Sequence, residues 1–380
     1  MSHPSLLLAR VLCSGLVLLC ATQQVSYAAK PQKAAKSVAK PHKVVKTKVS
    51  KAVPVLASAD NEFTNFTQWR EVTDFMDMMV SKHQFERATL ERTLKDVQYI
   101  DTAVKLVRPA PAGKAKNWAA YRMRFVEPIR INAGLAFWQT HADALARAES
   151  TYGVPAEIIV SIIGVETVFG RNTGNFRVMD VVTTLAFAYP EAPKKLERKA
   201  FFRGELENTL LLARESDIDP FSLRGSYAGA IGLPQFMPSS IRNFGIDFDV
   251  DGKLDLRNSA VDAIGSVAHF LQEHGWRKDA PLVYSASVTQ SENPAWLSFI
   301  NQGLEAKFTL HDLQKSGVSF ASDVPEKSHY GLIDLQNGNS PTEYWLGSNN
   351  FFAITKYNRS YFYAMSVIEL GKAIKNAKKQ

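Results

Sequence analysis

Cysteine is nearly missing from this chain: 380 residues hold two, Cys13 and Cys20. No disulfide framework can organise the rest, and no cysteine-rich metal site can form there. Long apolar runs are scarce as well. "VLCSGLVLLCA", from Val11 to Ala21, is too short to span a bilayer, and "SYA" ending at Ala28 sets small residues at −3 and −1. Residues 1–28 therefore read as a signal peptide, which directs the mature chain, without thiols, to the periplasm. Lipid attachment at Cys20 stays open but is disfavoured, because Leu19 stands where a small residue belongs. Acids are missing from the first 51 residues, which hold eight lysines and Arg10; without those nine charges the formal +8 falls to about −1. The basic character is local and argues against a nucleic-acid-binding fold. Residues 29–58, rich in Lys, Ala, Pro and Val, read as a charge-extended tether with a peripheral attraction to anionic wall polymer or membrane.

The chain beyond residue 58 is rich in helical patterns. "FTQWREVTDFMDMMVSKH" and "NAGLAFWQTHADALARAESTYG" place apolar residues three and four apart, so residues 59–152 are expected to form a helical domain, completed by C-terminal helices within 351–380. Residues 153–278 carry three further helical patterns around a loop rich in Gly, Asp and Ser. Residues 279–350, with "PLVYSASV" and the turn signal "NGNS", are expected to form a small β-containing domain.

One helix carries a contradiction. In "VPAEIIVSIIGVETVFGRNTG", Glu166 falls on the same face as Ile159, Ile162 and Ile163, near the negative end of the helix dipole. Pro155 suits the first turn and Gly170 the stop. Burial and dipole both disfavour the carboxylate anion, which predicts a raised pKa and a general acid. A partner for it in Arg171 or a hydroxyl is the competing reading. Glycoside cleavage ordinarily needs a second carboxylate, and no nearby acid offers itself; that gap points to a substrate-assisted mechanism or against cleavage altogether.

Five stretches in order, "YGVPAEIIVSIIGVETVFGRNTG", "FFRGELENTLLLARE", "GSYAGAIGLPQFMPSS", "DLRNSAVDAIGSVAHFLQEHGW" and "ITKYNRSYFYAMSVIELG", together resemble the membrane-bound lytic murein transglycosylase B family (family 3). The resemblance implies a mainly α (α+β) fold: a lysozyme-like helical core, a flanking helical domain and a small β-containing domain. It implies cleavage of the β-1,4 bond between N-acetylmuramic acid and N-acetylglucosamine in peptidoglycan, leaving 1,6-anhydromuramic ends. Glu166 would act alone as acid and then base, with help from the substrate's N-acetyl group. Ser226, Gln235, Tyr121, Tyr344, Tyr357 and Asn358 match positions that bind substrate. Arg198 is the best match to an arginine pair that meets the peptide stem, though Glu197 and Lys199 break that pair. "GLPQF" departs from "GYGQF", so Leu233 and Pro234 reshape one wall. The alternatives are a muramidase that uses water, whose product is heavier by one water, and a non-catalytic wall-binding protein. The expected partner is the glycan strand, met by a monomer.

The loop "DFDVDGKLDLRN" fits an EF-hand through nine positions: Asp247, Asp249 and Asp251 at 1, 3 and 5, Gly252 at the turn, Lys253 offering its carbonyl and Asp255 at 9. Position 12 is Asn258 in place of the bidentate Glu. A weak structural Ca²⁺ (or Na⁺) site is expected, and no cofactor for the chemistry.

Overall fold

The structure, a computed structural model, describes residues 65–109 and 115–380. The signal peptide and tether expected at 1–58 lie outside the described residues. Helices come first along the chain: α1 (Arg70–His83), α2 (Arg87–Lys95), α3 (Asp101–Leu106), α4 (Trp118–Arg122), α5 (Pro128–Thr140) and α6 (Ala142–Tyr152). The pattern from Asn132 to Gly153 is not one helix, because His141, at φ −115°, breaks it between α5 and α6. α7 (Ala156–Thr167) is the helix that carries Glu166, and Pro155 stands just ahead of its first residue. Beyond it lie β1 (Phe176–Arg177), α8 (Val178–Phe187), α9 (Lys195–Glu215), β2 (Arg224–Gly225), α10 (Pro238–Phe244) and α11 (Ala260–Glu273). The small sheet is built from β3 (Val283–Val288), β4 (Val318–Phe320), β5 (Gly331–Asn337) and β6 (Ser340–Gly347), with α12 (Leu310–Lys315) beside it. The chain ends in α13 (Asn349–Tyr357) and α14 (Tyr361–Lys378).

α7 runs through the middle of the helical part. Its Ile159, Ile162 and Ile163 have no solvent exposure, and α14, α5, α11 and α6 pack around it. Burying each isoleucine contributes roughly 1.5–3 kcal/mol. Small residues let these helices approach: a Cβ on Gly371 of α14 would come within 2.9 Å of the Glu157 carbonyl oxygen on α7. So the last long helix in sequence closes directly on the helix of Glu166. Among the described residues no helix is long and apolar enough to cross a membrane.

The sheet is antiparallel in the order β4-β3-β6-β5, and the expected turn at "NGNS" joins β5 to β6 with Gly338 at φ 62°. One face of the sheet holds a core of its own around Trp296, Leu313, Tyr330, Leu332 and Leu346.

The acidic loop is held from below by a residue that the EF-hand pattern does not include. Asp262, in the first turn of α11, is fully buried; its Oδ1 accepts from the Phe248 N–H (2.8 Å) and its Oδ2 from the Asp255 N–H (2.9 Å). Phe248 packs against Gly265, where a Cβ would lie 2.4 Å from the ring, and Arg147 lies over the ring at 4.1 Å. Asp262→Ala leaves buried N–H groups without acceptors, so a loss of about 2–3 kcal/mol is expected by denaturant unfolding; a change under about 0.5 kcal/mol would show that Asp262 does not hold the loop.

Candidate active site

Glu166 is the next-to-last residue of α7, and the chain leaves the helix through an unusual turn. Val168, Phe169 and Gly170 all adopt left-handed backbone, with φ of 52°, 57° and 89°. The helix thus stops at Val168, two residues before the glycine that marks a stop in the sequence. A β-branched residue in this region is strained and persists only where its surroundings hold it. Here the Val168 N–H returns to the Gly164 carbonyl (3.1 Å), and the Phe169 ring packs on Phe137 at 5.2 Å. Gly164 makes room for that ring, since a Cβ there would lie 2.7 Å from it. The Thr167 hydroxyl donates to the Leu233 carbonyl (2.9 Å) and accepts from the Gly170 N–H (3.0 Å). Arg130 of α5 donates to the Gly164 carbonyl (3.2 Å), a cation over the negative end of α7.

The Glu166 carboxyl faces a wall of tyrosines. Tyr363, buried in the first turn of α14, donates its hydroxyl to Glu166 Oε1 at 2.6 Å. The Tyr357 ring stacks near-parallel on Tyr363 at 6.3 Å, and its hydroxyl donates to the Pro234 carbonyl. Burial pushes the Glu166 carboxyl from an ordinary 4.5 up to about 7, and the Tyr363 hydrogen bond lowers it only in part. Burial, then the nearby Glu166 charge, holds both phenols well above their ordinary 10, so they remain donors. Among the described residues Glu166 has no ion pair, and Arg171 is exposed. Of the two kinds of partner the sequence offers it, arginine and hydroxyl, the hydroxyl is the one present.

The loop after α7 meets two glycine-bearing loops of the core. Gln235, itself left-handed at φ 52°, donates its Nε2 to the carbonyls of Gly232 (2.9 Å) and Thr173 (3.2 Å), which leaves its Oε1 to accept from elsewhere. Gly174 touches the backbone of Ser226, where a Cβ would come within 2.6 Å of the Ser226 nitrogen. The Ser226 Oγ accepts from the Ala230 N–H (3.1 Å), which frees its own proton to donate. The "LP" departure works through its carbonyls: Leu233 receives Thr167 and Pro234 receives Tyr357. Tyr121 of α4 packs on Phe125 at 5.1 Å and Phe362 at 5.4 Å, close enough to Tyr363 for its charge to act there. Asn358 ends α13, and its side chain makes no hydrogen bond among the described residues.

Two expected residues sit apart from this group. Tyr344 belongs to β6 and packs edge-on against Trp296 at 5.2 Å, in the core of the small sheet. It is half-buried and also borders a groove on that sheet, and no contact among the described residues joins it to Glu166. Arg198, in the first turns of α9, lies beside Tyr189, while its neighbour Lys199 is committed to Glu71 of α1 at 2.7 Å. Glu205 of α9 is a second buried carboxyl, raised by desolvation. Its two oxygens accept from the Ser239 N–H (2.9 Å) and hydroxyl (2.6 Å), so it caps the start of α10.

In the acidic loop, Asp247, Asp249 and Asp251 bring carboxylate oxygens within 4.8 Å of one another. Asp255 is not among them: its oxygens accept from Arg257 and Asn258, as a cap on the next turn. Lys253 donates its N–H to Asp251 (2.8 Å). Three hard oxygen donors in one concavity suit a cation such as Ca²⁺, and the missing Glu at position 12 predicts weak holding.

Residues 66–372 match the family model described as the transglycosylase SLT domain. Membrane-bound lytic murein transglycosylase B of Escherichia coli (strain K12) is 39% identical over 315 residues, 80% of this chain and 83% of that protein. The crystal structure of the soluble lytic transglycosylase SltB1 from Pseudomonas aeruginosa superposes with a TM-score of 0.73 at 43% identity, over 82% of this chain and 100% of that one. The Escherichia coli lytic transglycosylase Slt35 in complex with calcium gives 0.71 at 38% identity, over 84% and 99% of the two chains. With a strained turn presenting one carboxyl of raised pKa against buried tyrosines in a mainly helical, lysozyme-like frame, this chain belongs to the lytic murein transglycosylases, lyases that act on peptidoglycan.

Proposed function

We propose that Glu166 alone performs the proton transfers of this reaction. The observation that carries the proposal is a carboxyl held near pH 7 by burial, hydrogen-bonded to Tyr363, with no second carboxylate acting on it. In the protonated state Glu166 gives its proton to the glycosidic oxygen of the β-1,4 bond, and the bond from that oxygen to muramic C1 breaks. The carbonyl oxygen of the muramic N-acetyl group bonds to C1 and forms an oxazolinium ring. The ionised Glu166 then takes the proton of the muramic C6 hydroxyl, whose oxygen attacks C1 and opens that ring. The product is a 1,6-anhydromuramic end; Glu166 is again protonated and no water is used. Tyr363 stabilises the carboxylate between the two transfers. The proton of Ser226 and the free oxygen of Gln235 orient the N-acetyl and hydroxyl groups, Asn358 adds an amide, and Tyr121 and Tyr357 supply aromatic walls. Arg198 meets the peptide stem.

Asp247, Asp249 and Asp251 would hold a structural Ca²⁺, as the calcium complex of Slt35 supports, with no part in the chemistry. The enzyme works as a monomer in the periplasm, drawn to wall or membrane by the lysines of residues 29–58.

Glu166→Gln should abolish release of anhydro ends from sacculi, read by mass, while muropeptide binding persists; surviving turnover would end the single-residue mechanism. The same change should stabilise the protein. A carboxyl raised to about 7 binds its proton more tightly folded than unfolded, so that stability is complete below pH 4.5 and lost as pH rises through 7. At pH 8 the Gln variant should therefore exceed the parent by up to about 3 kcal/mol, with no difference near pH 4. Tyr363→Phe removes the hydrogen bond that lowers Glu166, so the alkaline limb of kcat/KM should move to higher pH; an unmoved limb would place Tyr363 outside the acid's control. Added Ca²⁺ should raise the melting temperature of the parent and leave that of Asp251→Ala unchanged.

A further inference from the structure

The face of the small sheet opposite its core is divided in two. Across the strands, Ser285 of β3, Trp345 of β6 and Ile333 of β5 lie in one row. The next row places Leu335 of β5 beside Glu343 of β6, and Ser287 of β3 beside Ser319 of β4. Ile333 and Leu335 are fully buried, and the helices that pack on β5 are α4 and α14. Ser285, Ser287, Ser319 and Glu343 are exposed. Trp345, half-buried, stands on the border between the covered half and the open half.

The open half is a groove of about 370 Å³, within the range of small-ligand sites. Ser285, Ser287, Gln290, Glu343 and Trp345 line it. The two serine hydroxyls and the Gln290 amide make no side-chain hydrogen bond among the described residues. The Trp345 indole N–H points to Glu343 Oε2 at 3.4 Å, which fixes the edge of the ring. Flat aromatic surface beside several free hydroxyl and amide groups is the chemistry that binds a sugar ring. The single charge, a carboxylate, accepts from hydroxyls and turns away anions.

Position selects the occupant. α4 carries Tyr121 and α14 carries Tyr363, and both helices pack on β5, the strand next to β6 of the groove. Neighbouring strands lie about 4.8 Å apart, so Trp345 stands one strand beyond β5 and two elements from Tyr121. We propose that this groove is a saccharide site that holds N-acetylated sugars of the glycan strand outside the cleft where the bond is cut. It serves long strands and is not needed for short ones. The proposal rests on the glycan-cleaving reading, which sacculus digestion by the unsubstituted enzyme tests separately.

The experiment measures binding of peptide-free glycan strands, long and of two repeats, to the full chain carrying Glu166→Gln, so that nothing is cleaved. Adding Trp345→Ala should weaken long-strand binding about tenfold and leave the two-repeat fragment unaffected. Ser287→Glu, at an exposed position that cannot disturb the core, should do the same by setting a second carboxylate beside Glu343. In the otherwise unsubstituted enzyme both changes should raise KM on sacculi more than they lower kcat. Long-strand binding that survives both changes overturns the proposal. Equal losses on short and long strands overturn it too, since the groove would then be part of the cleft.

Discussion

Removing one carboxyl from water shapes the rest of this molecule. Its surroundings make the Glu166 anion about 3 kcal/mol less favourable than it is in water, a large share of a domain's net stability. Glu166 is half-buried, with the isoleucine face of α7, the tyrosines of α13 and α14, and the loop held by Thr167 around it. The left-handed turn at Val168 belongs to the same arrangement. A helix that continued past Thr167 would carry the chain along its axis, whereas this turn folds it back at once toward the loops of Ser226 and Gln235. The strain is offset by the Phe169 ring, which fills the space that Gly164 leaves open.

Two buried glutamates show how environment assigns work to identical groups. Burial raises both Glu166 and Glu205. Glu205 has an N–H and a hydroxyl of Ser239 on its two oxygens, and is spent on holding α10. Glu166 has one hydrogen bond on one oxygen, and its other oxygen accepts none among the described residues. The difference between a cap and an acid is thus the number of lone pairs left unclaimed.

Much of this is legible in the sequence, because periodicity reports local geometry. The 100° step of a helix is enough to set Glu166 on an apolar face, and the alternation in "PLVYSASV" with the turn signal "NGNS" is enough to expect strands in that region. The rest depends on contacts distant in the chain. Tyr363 reaches Glu166 across 197 residues, and nothing in "SYFYAM" distinguishes it from its neighbours. Tyr344 likewise depends on the fold: only the pairing of β6 shows that it meets Trp296 in the small sheet, apart from Glu166. Asp255 fits a ligand spacing, and only the structure shows that its oxygens also accept from the N–H groups of the next turn. Asp262 lies outside the motif and is read only once Phe248 and Asp255 are seen folding over it.

The order of the chain gives the tyrosine wall a temporal meaning. The acid is laid down at residue 166, but the groups that desolvate it are synthesised almost two hundred residues later, on α13 and α14. A chain clipped before residue 357 lacks both tyrosines, and the one hydrogen bond on the Glu166 carboxyl goes with them.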